Sequence, residues 1–243
     1  MTVLTSPRLG RATEDYIKAI FKLEDKGRAV CTNRLADVIG VSPAAVTKAV
    51  RQLARKDLAS YEPYHGVSLT DSGRRVALEI IRHHRLLETF LHDILGYSWD
   101  EVDAEAEHLE HHISEKFEAA IDRLLGYPSF DPHGDPIPKP SGAMNPRRGA
   151  SLSDASAAET VRVIRVRDSN PEVLQYLARL GMHVGSVIQV IEKHPFRGPL
   201  RLRIDGCEHT VGLEVAGSVF VEPWKPDRQD PASSTTPTPE QNT

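Results

Sequence analysis

Cysteine is nearly absent from this 243-residue chain: only Cys31 and Cys207 occur. Two cysteines rule out a disulfide framework and fit a reducing, cytoplasmic setting. No apolar run approaches the roughly 18 residues needed to span a bilayer, and no apolar leader opens the chain, so no membrane partner is expected. An overall basic excess is missing as well. The formal net charge is −4, which argues against a generally basic nucleic-acid coat. The charge is segregated, however: residues 8–74 hold about 12 basic against 8 acidic side chains, and residues 75–127 about 5 against 12. A basic front and an acidic middle suggest a different partner for each. Internal repeats are lacking, and the length suits two or three small domains.

After a loose arm over residues 1–10, where Arg8 and Arg11 could touch phosphate, Thr13 is placed to cap a helix. Tyr16, Ile17, Ile20, Phe21 and Leu23 give that helix an apolar stripe to about Asp25. Asp15, outside the stripe, also suits the positive end of a helix dipole. A short helix over Asn33–Ile39 is closed by Gly40-Val41-Ser42, and Pro43 suits the first position of the next helix after a Ser42 cap. That helix, to about Arg55, buries Val46, Ala49, Val50 and Leu53 and turns Ala44, Ala45, Thr47, Lys48, Arg51 and Arg55 outward. Two helices about a tight glycine turn, the second small and basic outside, form the helix-turn-helix pattern. Small residues at its start (Ser42, Pro43, Ala44, Thr47) let the helix approach base edges, and Lys48 and Arg51 reach bases or phosphate. Short strands over Leu58–Glu62 and Val67–Leu69 bracket Pro63-Tyr64-His65-Gly66 as the wing, where His65 could reach a DNA backbone or be a plain turn residue. Trihelical units also dock proteins, so the motif alone leaves both partners open.

Thr70 or Asp71 caps a long helix to about Leu95, with Ile80, Leu87, Phe90, Leu91 and Ile94 on its buried side. His84 and Glu88 on it lie one turn apart, close enough to share a ligand or simply a hydrogen bond. Ser98-Trp99-Asp100-Glu101 has the capping-box pattern and predicts a helix from Ser98. Val102, Ala106, Leu109 and Ile113 form its core stripe, and Asp103, Glu107, Glu110 and His111 share a second face. Carboxylates crowded together repel one another unless a cation sits among them. Three of them with an imidazole suit a divalent ion such as manganese or iron, whereas an acidic solvated face is the plain alternative. A helix over 114–125, ended by Gly126, completes a helical block with more apolar surface than one small unit needs. A homodimer is the economical explanation. Residues 127–158 read as a linker, ordered early and loose later. Val161, Val163 and Val166, a helix over Pro171–Leu180, and strands at 187–191, 200–204, 209–213 and 219–221 predict a β-rich domain before a Pro/Thr/Ser-rich disordered tail. Cys31 is expected to pack as a small apolar residue; His83, His108 and His112 read as structural or surface groups, and His133 and His194 have no nameable partner.

Five pieces in order carry a resemblance: Thr13-Glu14-Asp15-Tyr16-Ile17, Ser42-Pro43 through Val50, Arg82-His83-His84-Arg85-Leu86-Leu87-Glu88, Glu107-His108-Leu109-Glu110-His111-His112, and Gly134-Asp135-Pro136-Ile137-Pro138. Over about residues 8–222 the chain resembles the diphtheria toxin repressor and manganese transport regulator family. The resemblance implies a mainly α protein with a β-rich C-terminal domain. Its parts would be a winged helix-turn-helix (8–74), a helical metal-binding and dimerisation domain (75–140), a linker (141–158), an SH3-like barrel (159–223) and a tail (224–243). It implies a principal metal site of Asp15, Glu107, Glu110 and His111. A second site would use His84, Glu88 and Asp103, with Asp168 and Glu172 as the nearest candidates from the SH3-like domain; His84 could instead join the principal site. Iron members carry Met where this chain has Asp15 and Cys where it has Glu107, so hard oxygen donors favour Mn²⁺ over softer, more tightly binding ions. Lys18 stands where two-domain manganese regulators place a Glu ligand. A protonated lysine cannot bind metal, so it puts a binuclear site in doubt and could neutralise the carboxylates in the metal-free state.

The resemblance implies a metal-activated repressor, or occasionally activator, of metal-transport genes, binding a double-stranded operator with palindromic half-sites as a homodimer. An iron-responsive regulator of the same architecture is the near alternative, and a metal carrier that docks a transporter the remote one; neither the exposed Lys48 nor Arg51 serves a carrier. A zinc peptidase needs His-Glu-x-x-His or His-x-x-Glu-His, and His108-Leu109-Glu110-His111-His112 has neither spacing, so no enzyme is expected.

Overall fold

The computed structural model describes residues 9–24, 28–167 and 170–225; the expectations for Arg8, Asp25, Asp168 and the tail from 226 lie outside them. The first helix, α1 (Arg11–Leu23), is entered from Gly10 with no side-chain cap, so Thr13 lies inside it. Ile17 and Ile20 are fully buried. They pack with Leu35 of α2 (Thr32–Ile39) and with Val46, Val50 and Leu53 of α3 (Pro43–Arg55). Each such side chain contributes roughly 1.5–3 kcal/mol by leaving water. Ser42 caps α3 by accepting from Ala45 N at 3.3 Å, with Pro43 in its first turn. Strands β1 (Ala59–Glu62) and β2 (Gly66–Leu69) pair antiparallel, Ala59 opposite Leu69 and Glu62 opposite Gly66, to form the wing. Cys31 is exposed at the start of α2, contrary to the packing expected of it, because the apolar face of that helix begins only at Leu35.

Helix α4 (Asp71–Asp93), capped by Thr70 through Gly73 N at 3.1 Å, belongs to two cores at once. Ala77 packs with the winged unit, and Leu86, Leu87 and Leu91 pack with Val102, Ala106, Ile121 and Ile137. Ile94, expected inside, is exposed just past its end. The next helix, α5 (Val102–Leu109), does not start at Ser98. The Glu101 carboxylate does close back on Ser98 N at 3.2 Å, but the Ser98 hydroxyl donates to that carboxylate at 2.6 Å and caps no amide. Residues 98–101 therefore form a turn, and Glu110 and His111 follow α5 in another. Helix α6 (Glu115–Leu124) is capped by Ser114 and strapped to α4 by Arg82. That guanidinium reaches Glu118 at 2.5 Å, Asp122 at 2.6 Å and the Pro138 carbonyl at 2.8 Å.

The C-terminal unit is a six-stranded antiparallel sheet in the order β3-β8-β4-β5-β6-β7. Its elements are β3 (Ala150–Ser151), β4 (Thr160–Val166), α7 (Pro171–Arg179), β5 (Val187–Lys193), β6 (Leu200–Ile204), β7 (Cys207–Val211), α8 (Leu213–Ala216) and β8 (Val219–Pro223). Two expectations change. The segment read as linker joins the fold from residue 150, since β3 pairs with β8 and Leu152 is fully buried in the core. The third predicted strand runs over Cys207–Val211, and Leu213 opens a helix. Trp99, from the turn between α4 and α5, is also buried in this core, its Nε1 donating to the Leu174 carbonyl at 3.2 Å. Residues 131–137 lie on the sheet in a fixed shape. Asp131 Oδ1 accepts from His133 N at 3.0 Å and Asp135 N at 2.9 Å, and the His133 carbonyl accepts from Val166 N at 2.8 Å. Gly134 sits at φ +85°, where a Cβ would fall 2.1 Å from the Ile164 carbonyl oxygen. Only glycine meets both demands.

Candidate metal centre and nucleic-acid interface

Asp15 on α1, Glu107 on α5, and Glu110 and His111 in the turn after it bring four donor atoms within 4.8 Å of one another. Asp15 Oδ1 and His111 Nε2 are buried, 2.9 Å apart, and misaligned for a hydrogen bond, so neither has a partner of that kind. Buried polar atoms left in this way are rare in a folded chain and mark a place for a missing ligand. The residues therefore fit a divalent cation.

Lys18 already supplies one positive charge there. It is buried, and its Nζ donates to Glu107 at 2.6 Å and to the two Glu110 oxygens at 2.8 and 2.7 Å. Burial works against its charge, but Glu110 and then Glu107 outweigh burial and raise its pKa. Burial likewise opposes ionisation of Glu110, while His84 and Lys18 hold its pKa below the ordinary carboxylate range. His84 turns Nδ1 to Glu110 at 2.6 Å and Nε2 to Asp103 at 3.2 Å. It thus adjoins the principal cluster through Glu110, and His84, Glu88 and Asp103, the trio the resemblance implied, bring three donor atoms within 4.8 Å of one another. On the far ring nitrogen of His111, Glu14 Oε2 lies 2.6 Å from Nδ1.

A further cluster, which shares Glu88, is deeper. Glu88, Asp131 and His133 are all buried, and Glu88 Oε1, Glu88 Oε2, Asp131 Oδ2 and His133 Nδ1 have no hydrogen-bond partner. Glu88 lies 3.5 Å from His133 Nδ1 and 3.5 Å from His84 Nε2, so it borders both groups. Burial and Glu88 push the pKa of Asp131 well up. Burial lowers that of His133, but Glu88 prevails and sets it at about 9. His133 Nε2 donates to the Trp99 carbonyl at 2.7 Å, which leaves Nδ1 facing the carboxylates. Asp131 and His133 escaped the sequence reading because they sit in a Pro/Gly-rich stretch; an Asp two residues before a His and four before a second Asp was the available signal. Glu172 is not brought to either cluster: it is exposed in the first turn of α7, its amide held by Asn170. A fourth group, Glu79, His83 and Glu115, has its histidine engaged by Glu118 at 3.0 Å and the Glu110 carbonyl at 3.3 Å.

In the winged unit Ser42, Pro43, Ala44, Lys48 and Arg51 are exposed at the cap and on the outer face of α3. Thr47 is half-buried and spends its hydroxyl on the Pro43 carbonyl at 2.9 Å. Helix α3 contains no acid, so the face carries only positive charge. Arg11 is exposed in the first turn of α1, and His65 is exposed on the wing, 3.9 Å from Glu62.

Residues 8–67 match the family pattern "Iron dependent repressor, N-terminal DNA binding domain", 70–139 "Iron dependent repressor, metal binding and dimerisation domain", and 150–223 "FeoA domain". The iron-dependent repressor IdeR of Mycobacterium leprae is 31% identical over 209 residues, 86% of this chain and 87% of that protein. The diphtheria toxin repressor of Corynebacterium diphtheriae is 27% identical over 222 residues, 83% and 96% of the two chains. Among solved structures, "Manganese-dependent transcriptional repressor complex with manganese" superimposes with TM-score 0.80 at 39% identity, over 87% of this chain and 100% of that one. "Structure of the manganese regulator SloR" gives 0.70 at 31%, over 87% and 98%. No helix among the described residues is long and apolar enough to cross a membrane. With a winged unit, a helical unit and an SH3-like FeoA unit in this order, the chain belongs to the diphtheria toxin repressor family of metal-dependent transcriptional repressors.

Proposed function

We propose that this is a manganese-responsive cytoplasmic repressor of metal-transport genes that binds a palindromic operator as a homodimer. The observation that carries the reading is the convergence of Asp15, from the DNA-binding unit, with Glu107, Glu110 and His111 of the helical unit. A bound divalent cation supplies the positive charge that lets these donors close together. Asp15 then ties α1 to the turn after α5, which fixes the angle at which each α3 is presented. Two such helices must match half-sites about one DNA turn apart. A coupling of roughly 2–3 kcal/mol between cation and operator corresponds to about a hundredfold in affinity. Ile94, Leu95, Phe117 and Leu124, exposed on the helical unit, suit a surface covered by a second copy. A second metal position centres on Glu88, with His84 and Asp103 on one side of it and Asp131 and His133 on the other.

Oxygen donors predominate in both clusters, and neither contains sulfur, which favours manganese over softer ions. The name of the Mycobacterium leprae relative supports iron as the second reading. Operator affinity measured at fixed salt, with chelator, Mn²⁺ or Fe²⁺, tests both for wild type and Glu107→Cys. Wild type should respond to Mn²⁺ and the variant shift towards Fe²⁺. Equal affinity in chelated and loaded wild type would falsify the metal-responsive reading.

A further inference from the structure

We propose that Glu14 is a positioning residue of the principal cluster, holding His111 by its far nitrogen so that Nε2 faces the donors. The proposal rests on that cluster being the metal site. Glu14 Oε2 and His111 Nδ1 are 2.6 Å apart, and the two side chains are only 16% and 3% exposed. An ionised carboxylate only accepts hydrogen bonds, and a neutral imidazole has one N–H to give. The contact therefore makes Nδ1 the donating nitrogen, and Nε2 is the one left to offer a lone pair to a cation. That nitrogen lies 2.9 Å from Asp15 Oδ1 and 3.4 Å from Glu110 Oε1, with no aligned partner of its own.

Glu14 and Asp15 are consecutive on α1, yet they address opposite nitrogens of one ring. Asp15 belongs to the four-donor group; Glu14 does not, because Nδ1 points away from it. A carboxylate behind a ligating histidine fixes its tautomer and orientation, and removing such a partner typically weakens metal binding 10–100-fold. A first-turn carboxylate placed at the positive end of α1 would also account for an acid at this position. It does not account for the burial of Glu14 or its aim at His111. Since His111 belongs to the helical unit, the contact also crosses between units without requiring metal.

The experiment uses the full chain labelled with ¹⁵N-histidine, Cd²⁺ as a diamagnetic probe, and Glu14→Gln and Glu14→Ala variants; His111→Gln assigns the ring signals. In chelated wild type His111 should be the Nδ1–H tautomer. Glu14→Ala should mix the tautomers and weaken Cd²⁺ binding about 10–100-fold. Glu14→Gln, whose amide oxygen still accepts, should keep both properties near wild type, and Asp15→Ala should lose affinity while leaving the tautomer intact. An unchanged tautomer and unchanged Cd²⁺ affinity in Glu14→Ala overturn the proposal. Equal Cd²⁺ binding by wild type and His111→Gln instead overturns the metal-site reading beneath it, and the tautomer of the chelated protein still shows separately whether Glu14 orients the ring.

Discussion

Replacing Lys18 with methionine keeps most of the side chain's volume and removes its charge. That charge touches Glu107 once and Glu110 twice, all within 2.8 Å, and the Glu110 side chain is fully buried. Removing one partner of a buried pair costs about 3–5 kcal/mol, because the other charge is left without compensation. The lower end applies here, since Glu107 is 41% exposed and His84 still reaches Glu110 at 2.6 Å. A loss of about 3 kcal/mol is therefore expected in the presence of chelator. With Mn²⁺ saturating, the loss should nearly vanish, because the carboxylates regain a counter-charge. Linkage then requires Lys18→Met to bind Mn²⁺ more tightly, by about a hundredfold for 3 kcal/mol. Urea unfolding with and without Mn²⁺, together with Mn²⁺ titration against a competing chelator, measures both sides of the cycle. Equal destabilisation in the two states with unchanged Mn²⁺ affinity would show that Lys18 is a structural ion pair and does not stand in a cation's place.

His133 gives the metal-free protein a pH dependence of defined sign. Its folded pKa of about 9 exceeds the roughly 6.5 of an unfolded histidine, so the stability it contributes is complete below pH 6.5 and is lost as pH rises through 9. Urea midpoints in chelator should fall across that window, by up to about 3 kcal/mol in unfolding free energy, and the fall should disappear in His133→Gln; a flat wild-type profile contradicts the buried His133–Glu88 pair. On α3, Arg51→Ala should weaken binding to an operator duplex. If Arg51 contacts phosphate, binding to a scrambled duplex weakens alike and the salt slope drops by about 1; if it reads a base, about 1–3 kcal/mol of discrimination is lost. Fluorescence anisotropy against both duplexes separates the two, and unchanged affinity on both removes Arg51 from the interface.

What could be read from the sequence was whatever is encoded within a few residues. Ser42-Pro43 specifies a cap and a first turn by local chemistry, and α3 runs over the residues expected of it. The principal donors were legible because Glu107, Glu110 and His111 fall within five residues, and Asp15 joined them through a resemblance covering most of the chain. What escaped depends on contacts between distant segments. Glu101 bonds to Ser98 but the helix begins later, since Trp99 is drawn into the C-terminal core and the turn must accommodate it. Residues 131–137 look like linker by composition, yet Asp131 folds them on itself and β4 holds them down. That burial turns His133 from a residue without partners into a candidate ligand. Lys18 was visible as a departure from the family pattern, but only the packing of α1 against the turn after α5 shows it surrounded by carboxylates.

The coupling of cation to DNA depends on how stiffly α1 is held. Ile17 and Ile20 bury one face of this helix against Leu35, Val46 and Val50, so α1 and α3 move together or not at all. Glu14, Asp15 and Lys18 lie on the remaining face and reach His111, Glu107 and Glu110 across the boundary between units. Helix α4 cannot act as a loose tether, because its N-terminal part is built into the winged core and the rest into the helical core. Relative motion of the two units must therefore bend or tilt α4, and the donors that meet across the boundary are placed to govern it. On the proposed reading, closing Asp15 onto the helical unit would remove that freedom from both recognition helices of a dimer at once. A handful of polar contacts, too weak to fold either unit, can in this way set operator affinity.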